Sequence, residues 1–174
     1  MSTPPTRKQL PRHLDPRKLV TAGSSLNGEA STAEMERLGD AVESAAPYAR
    51  VSLDFGRDEM GNATVSGSVA LEVELECQRC LMPVGYSLAG TFSLGIVWDE
   101  EQAKNLPKRL EPWIVGAESA DLYDMVEDEL LLTLPIVAYH KPEECKGTRS
   151  YSTGDVEDTA ENPFGILAQL KKRQ

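Results

Sequence analysis

Few residues of this chain are suited to catalysis, and several familiar catalytic motifs are missing. Its 174 residues include two histidines, three cysteines and only 6% aromatic residues. His13 falls in a basic segment that we expect to be flexible, where a general base would not be held in place. The chain has no glycine-rich phosphate-binding loop, no dinucleotide-binding turn and no nucleophile elbow of the Gly-x-Ser-x-Gly type. We therefore expect a protein that is not an enzyme and takes no small-molecule substrate.

Segments that would place the chain in a membrane or in the secretory pathway are also missing. No apolar run approaches the roughly 18 residues that a transmembrane helix needs. The first residues, Met1–Lys8, lack the apolar core of a signal peptide. Three cysteines are an odd number, which is unlike the paired disulfide framework of a small secreted protein. The sequence therefore predicts a cytoplasmic protein with no membrane partner.

Basic residues are concentrated at the two ends of an otherwise acidic chain, whose net charge is −10. Affinity for nucleic acid comes mainly from Lys and Arg, so the acidic body should repel RNA over most of its surface. Contact with RNA or with a partner would then use the basic ends, unless these are only solvated tails of a soluble acidic protein. The candidate contact residues are Arg7, Lys8, Arg12, Arg17, Lys18, Lys171, Lys172 and Arg173.

Alternating apolar and polar residues predict three consecutive strands in the middle of the chain, at about 48–55, 64–76 and 86–98. The second strand carries apolar residues on one face and mostly Ser, Thr and Glu on the other, which indicates one buried and one solvated face. Short connections between the three strands predict an antiparallel meander. Residues 111–115 are expected to form an edge strand, because Pro112 is tolerated only there.

Two helices are predicted on either side of the meander. Ser31 and Glu34 form a capping-box pattern at the start of the first, which should run to Pro47, after an irregular strand within 17–30. The second should begin at Asp121 and end before a proline at 135. The acidic residues of the second helix are interpreted as its solvated face rather than a cation site. They are Asp124, Glu127, Asp128 and Glu129.

The predicted fold class is α+β: an antiparallel β-meander with two packed helices, a flexible basic N-terminal tail, and a C-terminal linker followed by a short helix. The corresponding boundaries are 1–16 for the tail, 17–140 for a single domain, 141–161 for the linker and 162–174 for the amphipathic basic helix. The last segment is expected either to dock on a partner or to fold back on its own domain. Its candidate docking residues are Asn162, Pro163, Phe164, Leu167 and Leu170.

The three cysteines and one histidine fall at two places in the chain that a metal ion could join. Cys77 and Cys80 form a Cys-x-x-Cys pair between two predicted strands, and His140 and Cys145 follow the second helix. Three interpretations stay open: a structural zinc site with these four ligands, unligated reduced thiols, or a redox pair. Redox chemistry is disfavoured because such thiols are usually activated at a helix N-terminus rather than in a hairpin turn. Zinc deaminase chemistry is disfavoured because no His-x-Glu motif is present.

Three segments, taken together, resemble the bacterial YceD family. They are Leu75–Cys80, Val126–Pro135 and Asn162–Phe164, the last followed by Leu167, Leu170 and Lys171. The opening Leu14–Pro16 resembles the proteobacterial branch. Some relatives carry cysteines where this chain has His140 and Cys145, and imidazole is an equally normal zinc ligand.

The resemblance implies a role in the synthesis, processing or stability of 23S ribosomal RNA, and hence in ribosome biogenesis, without an established catalytic activity. The acidic body of the chain suggests an adaptor, which reaches large-subunit RNA or a pre-ribosomal particle through a protein partner. The alternative expectation is a thiol-redox or zinc-dependent protein that uses Cys77 and Cys80.

Overall fold

The computed structural model describes residues 8–116 and 119–145, and the chain folds into an α+β structure there. No helix within these residues is both long and apolar enough to span a bilayer. The elements are β1 (His13–Leu14), α1 (Pro16–Ala22), β2 (Ser25–Ser31), a 3-10 turn (Thr32–Glu34), α2 (Glu36–Ala41), β3 (Ser44–Ala45), β4 (Tyr48–Arg57), β5 (Ala63–Glu76), β6 (Pro83–Val97), α3 (Glu100–Lys104), β7 (Glu111–Ile114), β8 (Ala120–Asp121) and α4 (Leu122–Leu132).

The predicted meander of three strands is confirmed and forms the centre of a six-stranded sheet. The strand order is β2-β4-β5-β6-β7, with the short β3 pairing with β5 outside this path. Strands β4, β5 and β6 are antiparallel neighbours. Strand β7 lies at the edge, as Pro112 predicts, but it runs parallel to β6, so the sheet is mixed. The smaller pairing of β1 with β8 stands apart from this sheet.

One face of this sheet is apolar and forms most of the core. Val51 pairs with Val69, and Val65 pairs with Leu94, so buried side chains from three strands line the same face. The opposite face carries polar side chains along the same strands, because successive strand residues point to opposite faces. Helix α4 contributes Val126 to the core cluster and contacts both β5 and β6. The apolar parity of β5 continues to Cys77, which is fully buried.

The segment expected to be an irregular strand at 17–30 contains helix α1 as well as strand β2. Asp15 accepts hydrogen bonds from the N–H groups of the first turn, and Pro16 occupies the first helical position. Gly23 ends the helix in the left-handed conformation, with φ of 58°. These helix-end signals are present in the sequence, so α1 could have been predicted. Its absence from the prediction is an error of interpretation rather than an effect of tertiary packing.

The expected flexible tail at 1–16 does not extend through residues 8–16. Leu10 and Leu14 are buried in the core, which removes their apolar side chains from water. The Leu10 N–H donates to the Glu29 carbonyl at 2.9 Å, which adds this segment to the edge of β2. The buried hydroxyl of Tyr123 in α4 donates to the Leu10 carbonyl at 3.3 Å. Residues 1–7 lie outside the described part of the chain.

The helix predicted from Ser31 to Pro47 is wrong in its start and its length. Ser31 is the last residue of β2, and its side chain makes no capping hydrogen bond. The helical part is a 3-10 turn followed by the six-residue α2. The chain after α2 pairs with β5 instead, and the Glu43 N–H donates to the Glu74 carbonyl at 2.9 Å. Tertiary strand pairing therefore overrides the local helix signal.

The start of α2 is capped by a buried carboxylate from α4. Glu127, predicted to be solvated, is only 4% exposed. Its Oε1 accepts the Leu38 N–H at 2.9 Å, and its Oε2 lies 2.8 Å from a guanidinium nitrogen of Arg37. A buried carboxylate is tolerated only when its lone pairs are satisfied in this way. The Glu127 side chain therefore joins α4 to α2, and the bonded residues Leu38 and Glu127 are 89 residues apart in the sequence.

The buried carboxylate gives a direct stability test. We expect Glu127→Ala to lower the free energy of unfolding by about 3 kcal/mol, because Arg37 loses a partner and the Leu38 N–H loses its acceptor. Asp128→Asn is the matched control, because Asp128 also pairs with Arg37 but its side chain is 58% exposed. That exposed pair should be worth less than about 1 kcal/mol. Equal losses in urea titrations of the two variants would contradict the assignment.

A second ion pair ties the N-terminal segment to the start of α4. Asp121 caps that helix by accepting the N–H groups of Tyr123 and Asp124, and the Arg12 Nε donates to its Oδ2 at 2.8 Å. Burial opposes ionisation of Asp121, but the bonds from Arg12 and from the two N–H groups outweigh it and lower its pKa below the ordinary value.

The lowered pKa of Asp121 sets the direction of a pH effect. Below its ordinary pKa of about 4, the unfolded state binds more protons at this group, so its stabilisation is complete above that pH and declines as pH falls through the folded pKa. Asp121→Asn keeps a capping side chain but removes the charge. The stability difference between wild type and variant should therefore shrink as pH falls from 6 toward 3, by roughly the whole ionic part.

Urea titrations across this pH range measure that difference. The comparison is repeated in a His13→Gln background, because the His13 ring lies 3.8 Å from the same carboxylate. A difference that stays constant with pH would show that Arg12 does not stabilise the ionised form.

Candidate metal centre

The Cys-x-x-Cys pair lies at the tip of the long β5–β6 hairpin, as the sequence predicts. The tip is closed by two backbone hydrogen bonds, from the Leu81 N–H to the Cys77 carbonyl at 2.8 Å and from the Cys77 N–H to the Met82 carbonyl at 3.0 Å. Leu81 adopts a φ of 58°, in the left-handed region that favours glycine. This sharp turn directs Cys77 into the core end of the hairpin and leaves Cys80 half-buried beside it.

The segment after α4 runs beside this hairpin tip and carries the histidine. The Gln78 N–H donates to the Ala138 carbonyl at 2.9 Å. The Tyr86 hydroxyl accepts the Tyr139 N–H at 2.9 Å and lies 3.1 Å from the Tyr139 carbonyl, to which it donates. These bonds fix the backbone on the N-terminal side of His140, and His140 itself donates its N–H to the Cys77 sulfur at 3.4 Å.

The structure brings together all four residues predicted as metal ligands. The potential ligand atoms of Cys77, Cys80, His140 and Cys145 all lie within 4.8 Å of one another. The Cys80 Sγ and the His140 Nδ1 are 3.3 Å apart. Cys145 is buried, which places it in the folded domain rather than in the linker expected from residue 141. A turn at Lys141–Glu144 returns the chain to the cluster, with the Cys145 N–H on the Lys141 carbonyl at 3.1 Å.

This donor set fits a tetrahedral metal ion in composition and in size. Three thiol sulfurs and one imidazole nitrogen are the ligands of a Cys₃His zinc site. Zinc–sulfur bonds of about 2.3 Å place tetrahedral sulfur ligands about 3.8 Å apart, and a sulfur–nitrogen edge is slightly shorter. The 4.8 Å limit on the cluster and its 3.3 Å contact are compatible with those distances. The residues could therefore hold a metal ion after small adjustments of the side chains.

The electrostatics of the pair differ between its two sulfurs. Burial opposes ionisation of Cys77, but hydrogen bonds from the N–H groups of His140, Cys80 and Arg79, and from the His140 side chain, lower its pKa to about 5. Burial raises the pKa of Cys80, and the neighbouring sulfurs of Cys77 and Cys145 raise it further. Thiols bind metal ions as thiolates, so binding of a cation here would release protons.

The surroundings of the Cys77–Cys80 pair differ from those of many redox pairs. All three cysteines are free. The Cys77–Cys80 pair lies in a hairpin turn, without the helix N-terminus that activates many redox pairs.

The sequence does not indicate the contacts that Gln78, Tyr86 and Tyr139 make around the cluster. These contacts join backbone and side-chain groups 53 or more residues apart.

The predicted basic contact residues in the described part of the chain have several different surroundings. Arg12 pairs with Asp121, Glu34 and Asp124. The Arg17 guanidinium lies 4.1 Å from the ring centroid of Trp98. Lys18 pairs with Asp15 but remains 85% exposed.

Lys8 is exposed and lies beside the edge strand β2, where its carbonyl accepts the Glu29 N–H at 2.9 Å. Arg12 and Arg17 therefore have intramolecular roles that the sequence does not show. The remaining predicted residues lie outside the described part of the chain: Arg7, Lys171, Lys172, Arg173, Asn162, Pro163, Phe164, Leu167 and Leu170.

Comparison with known proteins identifies the family. The profile of the family described as "Large ribosomal RNA subunit accumulation protein YceD" matches residues 65–171, more than half of the chain. A Haemophilus influenzae protein named "Large ribosomal RNA subunit accumulation protein YceD" is 34% identical over 170 residues, which is 95% of this chain and 98% of the relative. No solved structure matches the chain. The resemblance carried by the cysteine pair and the α4 segment is thereby confirmed, and the chain belongs to the YceD family of large ribosomal RNA subunit accumulation proteins.

Proposed function

We propose that this protein is a non-enzymatic cytoplasmic factor that supports the accumulation of 23S ribosomal RNA, acting as an adaptor. The observation that carries the proposal is membership of a family named for large-subunit RNA accumulation. The structure supports a non-catalytic role, because the sulfur and imidazole groups best suited to chemistry are gathered in one four-residue cluster. If all four bind one ion, no coordination position is left for a substrate, and such closed sites are structural.

The distribution of charge supports an adaptor rather than an RNA clamp. The net charge of −10 and the many exposed carboxylates disfavour broad contact with a phosphate backbone. Among the predicted basic residues, Lys8, Arg17 and Lys18 are exposed, whereas Arg12 is surrounded by three carboxylates. We therefore assign RNA or partner contact to the exposed basic groups and to the two basic ends, and docking to the segment 162–174.

Zinc would strengthen the connection between two parts of the fold that hydrogen bonds already join. Cys77 and Cys80 belong to the tip of the hairpin, whereas His140 and Cys145 belong to the segment after α4. We assign the cluster a structural zinc ion, which would fix that segment against the sheet by coordination to all four residues.

The zinc assignment predicts the metal content of the purified protein. Protein prepared without chelators should contain about one zinc per chain, and Cys145→Ser should lower that content several-fold, because a three-ligand site binds more weakly. Chelation should lower the melting temperature of the wild type far more than that of the variant. His13→Gln is the matched control, because the only other histidine of the chain lies outside the cluster and its loss should leave the zinc content unchanged.

Three results would overturn these assignments. Metal-free protein with three free thiols would remove the zinc site. A reversible Cys77–Cys80 disulfide poised near the cytosolic glutathione potential would favour the redox alternative. Cleavage of RNA by the purified protein, abolished by chelation, would contradict the non-enzymatic role.

The docking assignment predicts the effect of a C-terminal deletion. Removing residues 162–174 should lower mature 23S ribosomal RNA toward the level of a strain that lacks the whole protein, while leaving the melting temperature of the domain within a few degrees. A variant with the same thirteen residues in scrambled order keeps their charge and length and should fail equally. Normal RNA levels in the deletion strain would contradict the assignment, and full rescue by the scrambled sequence would reduce it to charge alone.

A further inference from the structure

Large apolar side chains are exposed on both sides of the candidate metal centre. Ile136 is fully exposed, and Val137 and Tyr139 are about half exposed, at 44% and 46%. Leu81 and Met82 at the hairpin tip are 65% and 58% exposed. Single exposed apolar residues are common, but five within two short segments that meet at one cluster are the pattern of an interaction surface.

The backbone that presents these side chains is held by specific contacts. Val137 directly precedes Ala138, and the Ala138 carbonyl accepts the Gln78 N–H at 2.9 Å. Tyr139 is fixed by two hydrogen bonds with the Tyr86 hydroxyl. Leu81 has a left-handed backbone conformation that is unfavourable for residues with a side chain. Burial in the core does not offset this cost, because the Leu81 side chain is mostly exposed. The exposure is therefore built into an ordered part of the fold.

A cleft of about 230 Å³ lies between this segment and the end of α2. Residues 134–138 form an apolar part of its lining, and the acidic residues Asp40, Glu43 and Glu76 also line it. All three acidic residues are exposed. No Lys, Arg or His lines the cleft within the part of the chain that the structure describes. The nearest cation in the hairpin tip, Arg79, is stacked 5.3 Å from the ring centroid of Tyr139.

We propose that this cleft is a docking site for a basic protein segment in which an apolar side chain is flanked by Lys or Arg. An apolar residue of the segment would pack on Ile136 and Val137, while its cations face Glu43 and Glu76 across the cleft. Charge complementarity selects this occupant over RNA, because three carboxylates without a lining cation repel phosphate. The inference rests on the proposed adaptor function and names the class of partner that the adaptor binds.

Titration of a fluorescent basic peptide onto the full-length protein tests the proposal. The probe is a twelve-residue peptide in which single leucines alternate with Lys–Arg pairs, and its companion has glycine in place of each leucine. Glu43→Lys combined with Glu76→Lys should raise the Kd of the leucine peptide at least tenfold. Glu59→Lys combined with Glu101→Lys makes the same change in net charge at exposed sites outside the cleft and should change the Kd less than twofold.

The apolar part of the site has its own test. Ile136→Ser combined with Val137→Ser should weaken binding of the leucine peptide at least fivefold and leave the weaker binding of the glycine peptide unchanged. Melting temperatures close to that of the wild type establish that the variants fold, and Ile136→Ala alone replaces the double variant if they do not. Equal weakening by the two double charge reversals would show non-specific electrostatics and overturn the proposal. So would direct binding of a labelled RNA oligonucleotide to the cleft, measured without the peptide, or occupation of the cleft by a second copy of the chain.

Cellular RNA levels distinguish failure of the docking site from failure of the proposed function. If the leucine peptide does not bind the cleft but a strain without the protein accumulates less 23S ribosomal RNA, the docking proposal falls and the function stands. If that strain accumulates normal 23S ribosomal RNA, the proposed function falls whatever the peptide does. If both hold, the Glu43→Lys, Glu76→Lys strain should show the same RNA defect as the strain without the protein.

Discussion

The packing that covers the apolar face shared by β4, β5 and β6 positions the other elements of the fold. A sheet of this kind is stable in water only when that face is covered. Helix α4 lies against it with an almost continuous row of buried residues, and the N-terminal segment adds Leu10 and Leu14 to the same core. The position of α4 in turn fixes where the chain emerges after Thr133, and therefore where His140 and Cys145 are placed.

The candidate metal centre forms where the tip of the β5–β6 hairpin meets the segment after α4. Strands β5 and β6 stay paired up to Glu76 and Pro83, next to the tip at Cys77–Met82, and the segment after α4 is hydrogen-bonded to this end of the hairpin. Backbone hydrogen bonds connect the two segments there, and four potential ligand atoms lie within 4.8 Å of one another. A coordinated ion would stabilise this connection further.

The same arrangement connects the fold to a role in large-subunit RNA accumulation. An acidic domain gains little by wrapping a polyanion, which favours positively charged or apolar partners for the proposed docking surfaces. The exposed side chains around Val137 and Leu81 lie on the segments that the four ligands join. Metal binding and partner binding would then depend on the same local order, although they use different side chains.

Short-range patterns predict a large part of this structure. Alternation identifies β4, β5 and β6, the burial of Cys77 follows from the parity of Leu75, and Asp121 marks the start of α4. The start of α1 could have been found in the same way, because Asp15 and Pro16 are ordinary helix-start residues. By contrast, the capping pattern at Ser31 fails because Ser31 pairs with Tyr48 at the end of β2, and the helix ends early because the residues after α2 pair with β5.

Local patterns in the sequence are therefore sufficient to identify the family, the meander, the hairpin position of Cys77 and Cys80, and the four potential ligands. Tertiary packing accounts for three further features: Cys145 lies inside the domain, Glu127 is buried beneath Arg37, and β7 runs parallel to β6. The physical reason is range: backbone periodicity and end signals act over a few residues, whereas these features join groups more than about ten residues apart, whose contacts depend on the packed core.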